Sequence, residues 1–308
     1  MTRSKGQSRP ALFSPTTTPP PSRGGVHEWY RACRDHVTKR EVRESLTRIW
    51  ETYGHLLPEA PEDFVAQFRS DFPQRSWELY VLGWLAGTGA TIERSPREGP
   101  DFRAHHPGVG RFWVECVVPT AGREANRVWE RSDDVTRWAG RPDEPLALRY
   151  TSVLQEKIRK VARYRTRNIV APDEPVIVAL NQGGIRDSHL HDVELPLAYK
   201  VLYGVGDPVI RVDPYAHTTS AETLPRMQLK TASGALVSSA IFSESASGVI
   251  AGVLLARLDV FNLFPEHPAK LRFAHNPCAQ SKMPVGVLPL GGEVWVDGEM
   301  RLISVGDL

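Results

Sequence analysis

Residues 99–120 read GPDFRAHHPGVGRFWVECVVPT, and the fold turns on how this stretch is read. Side chains alternate along a strand, so Trp113, Glu115 and Val117 share one face while Phe112, Val114, Cys116 and Val118 share the other. Both faces are apolar apart from Glu115. A strand apolar on both sides is a central strand of a sheet covered by helices. A carboxylate in that position needs a partner, because burying it alone is costly. Asp101 follows Pro100 at the end of a Gly/Pro-rich turn, and it opens a second strand just before Phe102.

Working outward towards the N-terminus, the sequence predicts strand Thr91–Glu93 and a helix over Gln74–Ala86. That helix is apolar nearly all round, as a buried helix is, and between Trp77 and Ile92 its one charged side chain is Glu78. Further helices are expected around Phe64–Phe68 and across about 26–58. Towards the C-terminus, the spacing predicts a helix over Thr151–Arg165 and then the short buried strand PVIVALN. Helix, two strands, helix and strand in this order make an α/β arrangement with a mixed central sheet. The last third reads mainly as strands, at Val209–Val212, Ala235–Phe242, Gly248–Leu255, Leu271–Ala274 and Glu293–Val296. The expected organisation is a disordered basic Pro/Ser/Thr-rich tail at 1–25, a helical part at 26–69, an α/β core at 70–185 and a mainly β extension at 186–308 packed on it.

Two acids on adjacent strands, with Glu78 from the helix packed over them, would gather like charges that are stable only around cations. Hard oxygen ligands of that kind suit Mg²⁺ or Mn²⁺. A helix bearing Glu78, then Pro100-Asp101, then Glu115 resembles the PD-(D/E)xK nuclease superfamily over about residues 70–185. The resemblance implies a restriction-endonuclease-like core, with Glu78, Asp101 and Glu115 as metal ligands. It also implies a Mg²⁺- or Mn²⁺-dependent phosphodiesterase, an endonuclease acting on DNA, with Asp101 and Glu115 catalytic. The plainer reading of Glu78, a first-turn acid favoured by the helix dipole, stays open.

One departure is plain. The family lysine stands two residues after the strand acid, and here that position is Val117. The helix RYTSVLQEKIRKVARYR at 149–165 offers a replacement: Tyr150, Leu154, Ile158, Val161 and Tyr164 form an apolar stripe, and Lys157 falls inside it. A lysine there either meets the carboxylates or runs its stem along the stripe and keeps its ammonium in water. Between Arg149 and Arg167 the basic residues greatly outnumber the single acid, Glu156, so Arg159, Lys160 and Arg163 are expected to grip phosphates. His105 and His106, in the segment between the two acids, are expected at the mouth of such a site. The other reading of the same residues is a nuclease-like scaffold without catalysis that binds nucleic acid or a protein partner, and Val117 supports it.

The remaining signals are weaker. With Lys and Arg numbering 38 against 36 Asp and Glu, the net charge of +2 selects no partner. Cys33, Cys116 and Cys278 are too scattered for a disulfide framework or a zinc finger, which fits a cytoplasmic protein. The apolar run 248–264, broken by Arg257 and Asp259, is too short to span a bilayer, so no membrane association is expected. His189, His191 and Asp192, with Asp187 nearby, form a His-Asp doublet similar to that of metal phosphohydrolases, without further ligands to complete it. Oligomeric state is left open, a homodimer being compatible.

Overall fold

The computed structural model describes residues 9–15, 25–122, 127–128, 143–186, 188, 195–213, 215, 218–259, 271–296 and 302–306. The His189, His191 and Asp192 group, Asp187 and most of the loop after Val128 lie outside them.

Helices α1 (Glu28–Asp35), α2 (Arg40–Tyr53), α3 (Pro61–Ser70) and α4 (Phe72–Gly87) come first. The single helical pattern expected across 26–58 is broken, because His36 is extended. Arg43 Nη1 donates to the carbonyls of Cys33 and Arg34 at 2.8 and 3.1 Å, serving carbonyls that α1 leaves unpaired at its end. Pro61 starts α3, where its missing N–H costs nothing, and Glu62 and Asp63 sit in its positive first turn.

Strands β1 (Thr91–Glu93), β2 (Phe102–His106) and β3 (Gly110–Val117) follow, then the long helix α5 (Asp143–Thr166) and β4 (Val176–Asn181). Helix α6 (Leu197–Tyr203) lies in the part read as mainly strands. Its seven residues are too few for an apolar run to reveal its period. Next come β5 (Val205–Asp213), β6 (Thr218–Pro225), β7 (Gln228–Lys230) and β8 (Leu236–Ser238). The chain ends with β9 (Gly252–Ala256), β10 (Arg272–His275), β11 (Gly292–Val296) and β12 (Leu302–Gly306). The strand expected over Ala235–Phe242 stops at Ser238 and is followed by a 3₁₀ turn at Ile241–Ser243.

The α/β class with a mixed sheet flanked by helices holds. One eight-stranded sheet runs in the order β1-β2-β3-β4-β9-β10-β11-β12, while β5-β6 and β7-β8 form separate ribbons. β3, β4 and β9 are parallel neighbours; β1, β2 and β3 are antiparallel. Of the strands expected in a C-terminal extension packed on the core, β9–β12 continue the core sheet, while β5–β8 form the two separate ribbons. β9 is buried on both faces and pairs with β4 from Ile177–Gly252 to Asn181–Ala256.

The faces of β3 divide as its alternation requires. Phe112, Val114 and Cys116 pack into the cluster built with α1–α4, and Trp113 and Val117 into the cluster built with α5 and α6. Trp77 of α4 is fully buried and donates its indole N–H to Ala179 O at 2.9 Å, tying the first helical layer to β4. Asn181 joins two loops, accepting from Leu258 N and donating to Leu258 O, both at 2.8 Å. A Cβ on Gly252 would run into the carbonyl oxygen of Ala274 and reach Cζ of Phe273 at 2.6 Å. Gly252→Ala is therefore expected to cost about 1–3 kcal/mol. A urea unfolding curve checks this, and an unchanged midpoint would refute the close approach.

Residues 9–15, assigned from composition to a disordered tail, pack against the helical part. Leu12 is buried, Phe13 stacks on Tyr30, and Arg9 donates to the carbonyls of Trp50 and Glu51 at 2.6 and 2.8 Å. Two apolar side chains and a helix terminus that accepts an arginine outweigh the low average hydrophobicity of this stretch. Among the described residues, no helix is long and apolar enough to cross a membrane.

Candidate active site

The antiparallel β2–β3 hairpin brings Asp101 beside Glu115. Asp101 lies one residue before β2, next to the Phe102–Val114 pair, and its Oδ2 accepts the amide N–H of Cys116 at 2.6 Å. Among the described residues its Oδ1 accepts no hydrogen bond. Burial raises the Asp101 carboxyl well above the ordinary aspartate value, and the charges of Glu115 and Glu78 raise it further, with Lys157 acting in the opposite sense. Ionising Asp101 is therefore costly where it stands, and positive charge beside it, as from Lys157, makes it easier.

Glu115, on the α5 side of β3, is fully buried and has three partners. Oε1 accepts from Lys157 Nζ at 2.6 Å and from Lys160 Nζ at 2.7 Å, while Oε2 accepts the Tyr164 hydroxyl at 3.3 Å. Lys157, Lys160 and Tyr164 succeed one another at helical spacing, so one side of α5 carries all three to the same carboxylate. Lys157 thus extends from the apolar stripe to the strand acid. The ammonium is 2.6 Å from that acid and not out in water. Lys160 was expected to grip phosphate; in the structure its flexible stem reaches over Tyr164, with Nζ 5.7 Å from the ring centroid, to share Glu115. Burial lowers the Lys160 pKa, but the Glu115 charge and hydrogen bond outweigh it, so the amine is held above the ordinary lysine value. Burial and the Glu115 charge push the Tyr164 hydroxyl up to about 12.

Glu78 comes from the opposite layer and is otherwise occupied. Its Oε2 accepts from Arg75 at 2.6 Å and its Oε1 from Gln74 at 2.9 Å. Burial still pushes its carboxyl up, against the pull of Arg75 and Gln74. Glu78 contributes charge to the Asp101 environment, but its two oxygens face α4 partners. Gln74 does more than hold Glu78: its Oε1 accepts from Val118 N at 2.9 Å, clamping α4 to the end of β3. Gln74 and Arg75 were not singled out from the sequence. A glutamine and an arginine one turn before a buried acid were the available signal.

His105 and His106 are not at this site. The hairpin runs away from Asp101, and its turn joins His106 to Gly110 at the far end. At about 3.3 Å per residue they stand roughly 13–16 Å from Asp101 along the strand. His106 Nδ1 accepts from Gly108 N at 3.1 Å, a local turn contact. Arg159 and Arg163 are exposed on the outer face of α5, beyond the lysines. Among the described residues, no group of three or more His, Cys, Asp or Glu side chains is gathered closely enough to hold a metal ion by itself.

No protein-family model matches the chain, and neither a curated protein nor a solved structure matches it. The functional reading therefore rests on the geometry.

The raised Asp101 pKa has a consequence for stability. Its carboxyl is harder to ionise in the folded chain than in the unfolded one, so its contribution to stability is full below the ordinary value of 3.8. That contribution is lost as pH rises through the raised folded value. Asp101→Asn keeps an acceptor for Cys116 N and removes the charge. In chelator, the variant is expected to melt above wild type at neutral pH, with the gap closing on acidification. Melting temperatures across a pH series check this, and a gap that is constant or widens towards acid would refute it.

Proposed function

We propose that the chain is a Mg²⁺-dependent phosphodiesterase of the PD-(D/E)xK type, cleaving DNA, in which Lys157 takes over the part of the lysine absent at Val117. The observation that carries this reading is Lys157 Nζ at 2.6 Å from Glu115 Oε1, in a buried cluster that Asp101 shares. A lysine from another element, aimed at the strand acid of the motif, is what a relocated lysine requires.

The donor set suits a hard cation held loosely. Asp101 offers one oxygen without a partner and is destabilised as an anion, and Glu115 supplies a second carboxylate. Mg²⁺ binds through one or two carboxylates, with waters and substrate phosphate completing its shell, so the lack of a three-acid cage fits this ion and argues against a structural metal. Asp101 and Glu115 would hold it; bound there, it would supply an activated water and charge stabilisation on the phosphate. Lys157 places a fixed positive charge at the strand acid, where negative charge builds as a phosphodiester is attacked. Tyr164, on Oε2, keeps Glu115 in one orientation. Arg159 and Arg163 extend positive charge outward from the cluster, in a place suited to the phosphate backbone of DNA.

Two observations favour a second reading, a scaffold without catalysis that binds nucleic acid or protein. Glu78 is satisfied by Arg75, and the two ammoniums on Glu115 balance the charges of Glu115 and Asp101. The deciding experiment incubates wild type and Asp101→Ala with supercoiled and single-stranded DNA in Mg²⁺, Mn²⁺ or chelator. Metal-dependent cleavage by wild type alone supports the enzyme. DNA retained by both proteins without cleavage supports the scaffold.

A further inference from the structure

Glu115 carries one more cation than the reading above requires. Lys157 and Lys160 both donate to Oε1, at 2.6 and 2.7 Å, and Tyr164 occupies Oε2. The carboxylate is fully buried, so a divalent ion approaching it meets an oxygen already shared by two ammoniums. The two lysines differ in how they are held. Lys157 is 16% exposed and comes from within the apolar stripe of α5, whereas Lys160 is 34% exposed and reaches in over the Tyr164 ring. Lys160, the more exposed of the two, has the shorter way into water.

Charge counting makes the consequence specific. Two acids and two ammoniums are neutral together, while in the opposite layer Arg75 is shared by Glu78 and Glu59. Adding a divalent ion with both ammoniums seated would leave two uncompensated positive charges in a largely buried place. Releasing Lys160 to solvent removes one of them. From this arrangement, and resting on the metal-dependent reading above, we infer that Lys160 is a built-in competitor for the metal position. It closes the site by neutralising Glu115 and must leave for a divalent cation to bind. Lys160 is then a gating side chain whose release sets the metal affinity, while Lys157 stays as the fixed charge.

The test is Mn²⁺ binding to the full chain, read by titration calorimetry and by the melting temperature with and without the ion. Lys160→Met removes the competing charge and keeps much of the stem, and Lys160→Arg keeps the charge. Lys160→Met is expected to bind Mn²⁺ about tenfold or more tightly than wild type. Lys160→Arg should bind no more tightly than wild type. Lys160→Met should also melt lower than wild type in chelator, yet gain more on adding Mn²⁺. Detectable binding by Lys160→Met alone would support the inference in its strongest form. Equal or weaker Mn²⁺ affinity in Lys160→Met, with wild type binding, would overturn the inference and leave the metal reading standing. No binding by wild type, Lys160→Met or Lys160→Arg would overturn both. Adding Asp101→Asn to Lys160→Met should abolish the gain, and a gain that survives would place the ion elsewhere and overturn the inference.

Discussion

Glu115→Ala is expected to destabilise the protein by about 3–5 kcal/mol, measured in chelator by urea unfolding, whatever the chain does in the cell. The side chain is fully buried and carries two ammoniums and a hydroxyl. Its removal leaves Lys157 and Lys160 facing one another beside β3 with no counter-charge on the strand. The partial exposure of Lys160 puts the cost at the lower end, because that ammonium can retreat to water. Losing one partner of a buried ion pair is far more damaging than replacing the whole group with apolar side chains of similar volume. The companion variant Glu115→Leu, Lys157→Met, Lys160→Met should therefore recover most of the loss. A cost under about 1 kcal/mol for Glu115→Ala would mean that water already solvates the three charges and that the cluster is no buried unit.

The second large effect concerns the chemistry. Lys157→Met is expected to lower the Mg²⁺-dependent cleavage rate by about 10²–10³-fold, the usual loss on removing one charge-stabilising donor from a reacting centre. DNA retention should change little, because Arg159 and Arg163 remain on the outer face of α5. Lys157→Arg should keep part of the activity, since the charge survives with altered geometry. The decisive variant is Val117→Lys in the Lys157→Met background. Val117 sits on the same face of β3 as Glu115, two residues on, so a lysine there approaches the carboxylate from the strand itself. Partial recovery of the rate by that double variant would establish that Lys157 substitutes for a strand lysine. If Lys157→Met cleaves as fast as wild type, Lys157 is only a counter-ion of Glu115.

Both expectations depend on one strand and one helix, and these were readable to different depths. The two-sided apolar pattern of β3 and the placing of its faces follow from alternation alone, since a period of two holds wherever a strand forms. The buried α4 with its lone Glu78, and the stripe on α5 that contains Lys157, follow from helical spacing in the same way. Periodicity reports which residues share a face of one element. It says nothing about how far a long side chain reaches between elements. Lys160 lay outside the stripe by angle, yet its stem spans the gap to Glu115 because α5 packs close to β3. Glu78 was grouped with the acids by the expected packing of its helix over the two strands and by the resemblance, and the tertiary structure turns it to Arg75 and Gln74. His105 and His106 were placed at the site because they lie between its acids in sequence, and the antiparallel hairpin carries them to its opposite end.

At larger scale the division is the same. Local pattern determined the class, the central position of β3 and the burial demanded of Glu115, because each depends on neighbours within a few residues. Tertiary structure decided that β9–β12 extend the sheet, that residues 9–15 pack on α2, and that Glu115 has two lysines. Those outcomes depend on which apolar edges and which charges meet across long separations in sequence, where packing and electrostatic pairing, unlike periodicity, select the partner.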